Sequence, residues 1–157
     1  MTLEPTYHRS TLAGLDPVTL YRLLWLRSRV FDVEQAATDA DLDGRELDAG
    51  TELWWAEVDG LPVSFLRTMT GPDAVTMGRL ATDAAWRGRG IASTLVGRAL
   101  ARHGHRRVDI HAQAHLARWY AGFGFVVTGP GFVEAGMDHV PMSREPGLVP
   151  PVDAVLD

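Results

Sequence analysis

The chain has 157 residues, 46% of them hydrophobic and 22% charged, with a formal net charge of −5 at pH 7. That length suits one domain able to bury roughly two-thirds of its unfolded surface, and the balance is globular rather than disordered. The absence of cysteine excludes disulfides, thiolate catalysis and cysteine-based zinc or iron–sulfur sites. No run of about 18 apolar residues signals a membrane span, and the acidic balance disfavours nucleic acid and anionic lipid as partners while suiting a cationic substrate. Met1 to Pro5 lack the basic and apolar regions of a secretory signal, so a cytoplasmic location is expected.

Asp16-Pro17 opens the first predicted helix, with an N-cap carboxylate followed by proline at the first helical position. The helix is expected to run to about Arg29, with Leu20, Leu23, Leu24 and Leu26 on its apolar side. From Phe31 to Gly50 hydrophobic residues are sparse and aspartates frequent, which predicts a loop with at most one helical turn. Leu53–Val58 and Val63–Met69 flank Asp59-Gly60, a hairpin signal. Gly71-Pro72-Asp73 turns the chain into an apolar strand, Val75 to Thr82, and a helix follows with apolar residues at 91, 95 and 99. Arg102, His103, His105, Arg106 and Arg107 read as the solvated end of that helix, where positive charge suits the dipole. Val108 to Ala112 alternates as a half-buried strand does. Ala114 to Phe123 is a short helix ended by Gly124, and strands are expected at Phe125–Val127 and Met137–Met142. Residues 1–145 then form a single domain, and the proline-rich 146–157 a disordered or loosely attached tail. The fold class is α+β, a mixed, largely antiparallel twisted sheet flanked by helices.

The richest segment is Arg87-Gly88-Arg89-Gly90-Ile91-Ala92, set between a strand and a helix. The first N–H groups of a helix lack intrahelical acceptors, and its dipole adds fractional positive charge. Glycine lets backbone approach a phosphate, and arginine can bind it through two parallel hydrogen bonds. The segment is therefore a candidate anion cradle for a phosphorylated cofactor, although an ordinary strand–helix turn would read similarly. All fifteen basic residues are arginine, so no Gly-Lys-Ser/Thr phosphate loop exists. The Gly88-x-Gly90-x-x-Ser93 spacing falls too late in the chain for a dinucleotide fold.

The Arg87-x-x-Gly90-x-Ala92 spelling resembles the acyl-CoA pyrophosphate loop of the GNAT N-acetyltransferase superfamily. Trp119-Tyr120-x-x-Phe123-Gly124-Phe125 is similar to the tyrosine-bearing motif that follows it there. Phe31-x-Val33-Glu34-Gln35, Asp41-x-Asp43-Gly44, Gly78-Arg79-Leu80, Ala112-Gln113-Ala114-His115-Leu116 and His139-x-x-Met142 are similar to the ElaA-like branch, over roughly residues 15 to 144. The resemblance implies a sheet whose two central strands splay apart around acetyl-CoA. It implies that Leu80, Ala81 and Thr82 pair their backbone with the pantetheine arm, and that Arg87, Gly88, Arg89, Gly90, Ile91, Ala92 and Ser93 hold the pyrophosphate. Gln113 and Tyr120 would lie along the cofactor. The implied activity is transfer of acetyl from acetyl-CoA to a primary amine, without a metal, in a ternary complex. With no cysteine, an acyl-cysteine intermediate is excluded. The alternative is a non-catalytic module that senses acyl-CoA or binds a protein partner. Dimers are common among such relatives, so a homodimer is an open expectation.

The motif match makes Tyr120 the candidate acid for the departing thiolate. An alkylamine carries its proton to about pH 10, so a base is needed, and Glu34, His111 and His139 are the candidates. Glu34 sits in the apolar context Phe31-Asp32-Val33, where burial would raise its pKa and make it a better base. Arg79 either anchors a substrate carboxylate or pairs with a core acid. Asp39-x-Asp41-x-Asp43-Gly44 copies the first half of a calcium loop, but Gly50 stands where the bidentate glutamate belongs. No histidine spacing supports zinc, so no metal is expected. Acceptor specificity is expected in the loops around 31–50 and 129–139.

Overall fold

In a computed structural model the described residues are 3–147. The chain runs β1 (Thr6–Ser10), α1 (Pro17–Arg27), β2 (Thr51–Val58), β3 (Leu61–Thr70), β4 (Val75–Thr82), α2 (Ile91–His103), β5 (Val108–Gln113), α3 (Ala117–Ala121), β6 (Val126–Val127), β7 (Phe132–Glu134) and β8 (Met137–Arg144). The strands form one twisted sheet in the order β1-β2-β3-β4-β5-β8-β6, with β7 also on β8. Only β4 and β5 run parallel among these pairings, joined by the α2 crossover.

Both faces of the sheet are covered, which is why β2 and β3 are buried almost throughout. Alternate residues feed two cores. Trp54 and Leu66 pack with Leu95, Val96, Ala99 and Leu100 of α2, while Leu53, Trp55 and Phe65 pack with Leu23 and Leu26 of α1. Asp16 caps α1 as its sequence requires, Oδ1 accepting from the Thr19 N–H at 2.9 Å. The Asp59-Gly60 hairpin also forms, with φ of 51° and 77° in the left-handed region a type I′ turn needs.

Four expectations are corrected. α1 does not stop near Arg29 but widens into a π-helical stretch, Ser28–Glu34, because Val30 stays buried in the α1 core. β1 is a strand that carries no apolar alternation; it is held by its ladder to β2 and by His8 stacked on Trp55 at 5.3 Å. Phe125 lies in the core outside the two-residue β6, and β7 forms a hairpin with β8. The basic cluster after α2 is only in part a solvated helix end, since Arg102, His105 and Arg107 are exposed but the cluster is also tied down. His103 is buried on Glu52 at 2.7 Å, Arg106 donates to the Gly71 and Pro72 carbonyls, and Arg107 pairs with Asp109. Of the tail, residues 148–157 lie outside the described residues; the Gly147 N–H donates to the Gly104 carbonyl at 2.7 Å.

The aspartate-rich segment is pinned by buried charge. Arg27, fully buried, holds Asp41 at 2.9 Å and Glu46 at 2.5 Å, and Arg67 holds Asp43 at 2.8 Å and Glu46 at 3.1 Å. Asp41 and Asp43 are thus committed to arginines, which removes them from the calcium reading. The Arg67 hydrogen bond holds the Asp43 carboxyl well below the usual range. Burial would raise Glu46, but its hydrogen bond and charge contact with Arg27 prevail and lower it. Depressed carboxylates contribute stability above the unfolded pKa, near 4, and lose it as pH falls through their folded values. Arg27→Ala strands two carboxylates and should cost about 3–5 kcal/mol in urea unfolding. It should also flatten the loss of stability below pH ~4. A cost under ~1 kcal/mol, within the range of surface pairs, would refute this anchoring role.

Candidate active site

β4 and β5 are joined by only two residue pairs, Val75↔Val108 and Thr76↔Asp109, and then part. Beyond Thr76 the β5-facing edge of β4 has no ladder to β5, so its peptide groups border a cleft instead of a strand. A bulge deepens the parting. β3 keeps one residue between Phe65 and Arg67 where β4 has two, Arg79 and Leu80, between Gly78 and Ala81. Arg79 accordingly takes a left-handed φ of 56°, an uncommon conformation for a residue with a Cβ.

A cavity of about 520 Å3 fills the fork. Met77, Gly78, Arg79 and Leu80 of β4 line one wall; Ile110, His111 and Gln113 of β5 line the other, with Tyr120, Glu134 and His139. Asp109, His111 and Gln113 share one face of β5, as the alternation predicts, and the Gln113 Nε2–H donates to Gln35 across the cleft at 3.2 Å. Tyr120 is buried among Trp119, Phe123 and Phe125, and burial pushes its hydroxyl well above the ordinary phenol pKa, so it is a protonated donor at neutral pH.

His139 is the better-defined imidazole. Its ring is buried, and its Nδ1 lies 2.8 Å from the Met137 carbonyl. A carbonyl can only accept, so Nδ1 carries a proton, and in the neutral ring the lone pair is on Nε2. Nε2 lies 3.7 Å from Glu134 Oε2, while His111 Nδ1–H donates to Glu134 Oε1 at 3.1 Å. Phe132 stacks on His139 and meets His111 edge-on. Glu134 is absent from the sequence-derived candidates. Its placement depends on the β7–β8 hairpin, whose Ala135-Gly136 turn (φ 52° and 80°) is a weak signal because alanine rarely adopts that conformation.

The glycine–arginine loop stands at the other end of β4. Gly88 and Gly90 have φ of 72° and 76°, which favours glycine, and Gly90 is the N-cap of α2. Leu80 faces the cavity, whereas Ala81, Ile91 and Ser93 bury their side chains, so only their backbone can serve a ligand. Arg89 stacks over Trp86 at 4.5 Å.

Three residues named from the sequence find their partners here, and one expectation changes. The Arg87 guanidinium pairs with both Glu34 oxygens and donates to the Thr82 carbonyl. Glu34 is correspondingly no buried base. It is about two-fifths exposed, and its hydrogen bond with Arg87 lowers its pKa instead of raising it. Of the two readings of Arg79, the pairing with core acids forms, reaching Asp41 Oδ1 at 3.0 Å and Asp43 Oδ2 at 3.3 Å. The π-helical extension of α1 makes the Glu34 contact possible, which a helix ending near Arg29 would not have reached.

A family profile for the acetyltransferase (GNAT) domain matches residues 11–146. The chain belongs to the GNAT acetyltransferase family. The UPF0039 protein Rv2851c of Mycobacterium tuberculosis is 44% identical over 83% of this chain and 86% of its own. Protein ElaA of Escherichia coli is 35% identical over 80% of this chain and 87% of its own, and its crystal structure superposes with a TM-score of 0.85 over 90% of this chain and all of that one. An acyl-CoA N-acyltransferase from Pseudomonas aeruginosa superposes equally well, TM-score 0.85 at 32% identity, over 90% of this chain and 99% of that one. These findings agree with the ElaA-like branch, and at family level the GNAT domain is an acyl-CoA-dependent acetyltransferase. Among the described residues no helix is long and apolar enough to cross a membrane.

The Glu34–Arg87 clamp yields a direct test. In a double-mutant cycle on folding stability, Glu34→Ala and Arg87→Ala should couple by about 0.5–1 kcal/mol, the upper range for an exposed bidentate pair. Strict additivity would show that the clamp does not form in solution.

Proposed function

We propose that this protein moves the acetyl group of acetyl-CoA to a primary amine by direct transfer within a ternary complex. The observation that carries the reading is the fork between β4 and β5, in which a buried tyrosine and a tautomer-fixed histidine line one cavity. The Pseudomonas aeruginosa relative, at 32% identity, is described as an acyl-CoA N-acyltransferase, which supports nitrogen as the acceptor atom.

The residues present fit such a donor. Backbone N–H groups of residues 88–93 at the N-terminus of α2 would hold the pyrophosphate, helped by Arg89 and by the dipole. Arg87 would act indirectly, tying that loop to α1 and to the end of β4. The β4 edge from Gly78 to Thr82 would pair with the amides of the pantetheine arm as a strand pairs with its neighbour, and Gln113 would border it from β5. Acetyl-CoA supplies an activated acyl carbon and a thiol leaving group.

An amine acceptor reaches neutral pH as an ammonium ion, so one proton must leave before nitrogen can attack. His139 accepts it at Nε2, the nitrogen that the Met137 carbonyl leaves unprotonated. Nitrogen then bonds to the acyl carbon and the carbon–sulfur bond breaks. Tyr120 donates a hydrogen bond to the departing sulfur, and the second nitrogen proton ends there. A phenol whose pKa lies far above that of a thiol, about 8.5, stabilises the thiolate by hydrogen bonding more than by complete proton loss. The cysteine-free chain has no thiol to carry the acetyl group.

Tyr120→Phe should lower kcat about 10- to 100-fold while the acetyl-CoA KM changes little, and His139→Gln should lower kcat about 100-fold or more. Thiol release during steady turnover reads both. Wild-type turnover in either variant would remove that residue from the mechanism, and no thiol release from the wild type with any amine would favour a non-catalytic acyl-CoA-binding module.

A further inference from the structure

The charges around the cavity are unevenly satisfied, and, given the acetyl-transfer reading, that imbalance specifies the acceptor. Asp41, Asp43 and Glu46 are matched by Arg27, Arg67 and Arg79. Arg45 leans on Asp48 at 3.4 Å. Two carboxylates that line the cavity, Glu134 and Asp39, have no arginine partner among the described residues. Their backbone segments are joined. The Thr38 N–H donates to the Ala135 carbonyl at 3.1 Å, which ties the Asp39 segment to the β7–β8 turn that carries Glu134. Arg79, the guanidinium at the bulge, is engaged by Asp41 and Asp43 through Nε and Nη2, so its charge is already matched by carboxylates of the protein.

We propose that the acceptor is a cationic amine lacking a carboxylate, of which an alkyl diamine is the simplest case, and that its reacting ammonium docks on Glu134. His111 positions the Glu134 carboxylate by donating from Nδ1, and the other oxygen faces His139 Nε2. Docked there, the ammonium passes one proton from nitrogen to Nε2. The positive charge moves from the ammonium to the imidazolium beside the same carboxylate, so the transfer separates no charge. The free amine forms the nitrogen–carbon bond, the carbon–sulfur bond breaks, the second nitrogen proton goes to sulfur, and His139 returns its proton to solvent. Asp39 receives the second cation of a diamine.

Calorimetric titration of the full chain in the presence of CoA tests this with 1,3-diaminopropane and with β-alanine, which replaces the far aminomethyl cation by a carboxylate. The wild type should bind the diamine at least about tenfold more tightly, equivalent to 1.4 kcal/mol. Glu134→Gln should remove most of that preference, and raising salt from roughly 0.05 to 0.5 M should weaken diamine binding in the wild type. Equal or tighter binding of β-alanine overturns the proposal, as does an undiminished preference in Glu134→Gln. If that variant does not fold, the wild-type salt series and Asp39→Asn decide, and salt-independent diamine binding with no loss in Asp39→Asn overturns it. Thiol release is followed separately. Diamine binding without release would refute acetyl transfer and leave the docking site standing, whereas turnover of β-alanine in preference to the diamine would do the reverse.

Discussion

Two residue pairs hold β4 to β5, and the rest of the molecule is arranged around the place where they let go. A parallel pair that continued would satisfy its own peptide groups and fill the fork. By stopping at Thr76 and bulging at Arg79, β4 leaves an edge of backbone donors and acceptors facing a cavity. Exposed edges invite pairing with another chain, so a protein that keeps one open must enclose it. Here α1 and its extension, the aspartate-rich segment and the β7–β8 hairpin do so.

The enclosure rests on charge rather than on apolar packing. The segment from Ala36 to Gly50 has few large side chains to bury, and it is fastened by Arg27, Arg67 and Arg79 acting on Asp41, Asp43 and Glu46. Removing such groups from water costs several kcal/mol each, and mutual attraction offsets that only where geometry is good and every group is partnered. Interlocked pairing among six groups approaches that condition, with the buried Arg67 Nε–H the atom left without a hydrogen-bond partner among the described residues, and it gives the loop one conformation where a hydrophobic contact would tolerate several. The left-handed backbone of Arg79 belongs to the same arrangement, since the strained residue is the one whose side chain reaches both aspartates.

The groups around the fork inherit their character from these supports. Tyr120 stays protonated because aromatic rings and the sheet exclude water from it. His139 has a defined tautomer because its own strand offers the Met137 carbonyl. Arg87 is neutralised by Glu34, which leaves backbone amides and Arg89 as the positive surface at the start of α2. The clamp couples the extension of α1 to the glycine–arginine loop across 53 residues of chain, with β2, β3 and β4 between them.

Local chemistry made much of this legible. Asp16-Pro17, Asp59-Gly60, the left-handed glycines of the Arg-Gly loop and the apolar periodicities of β5 and α2 act over a few residues, so the sequence by itself determined the order of these elements and the α+β class, while resemblance of its motifs pointed to the family. The alternation of Val108 to Gln113 likewise put His111 and Gln113 on one face. What only the tertiary structure decided depends on partners far apart in the chain. Glu34 reads as a base in apolar surroundings until Arg87, 53 residues away, lowers its pKa. His103 reads as solvated until Glu52 buries it, and Glu134 acquires its place between two histidines only through a hairpin with a weak turn signal. β1 has no periodicity of its own and exists because β2 offers an edge. Conformational preference is a property of neighbouring residues, whereas the protonation, burial and pairing of a charged group are set by whatever the fold brings beside it.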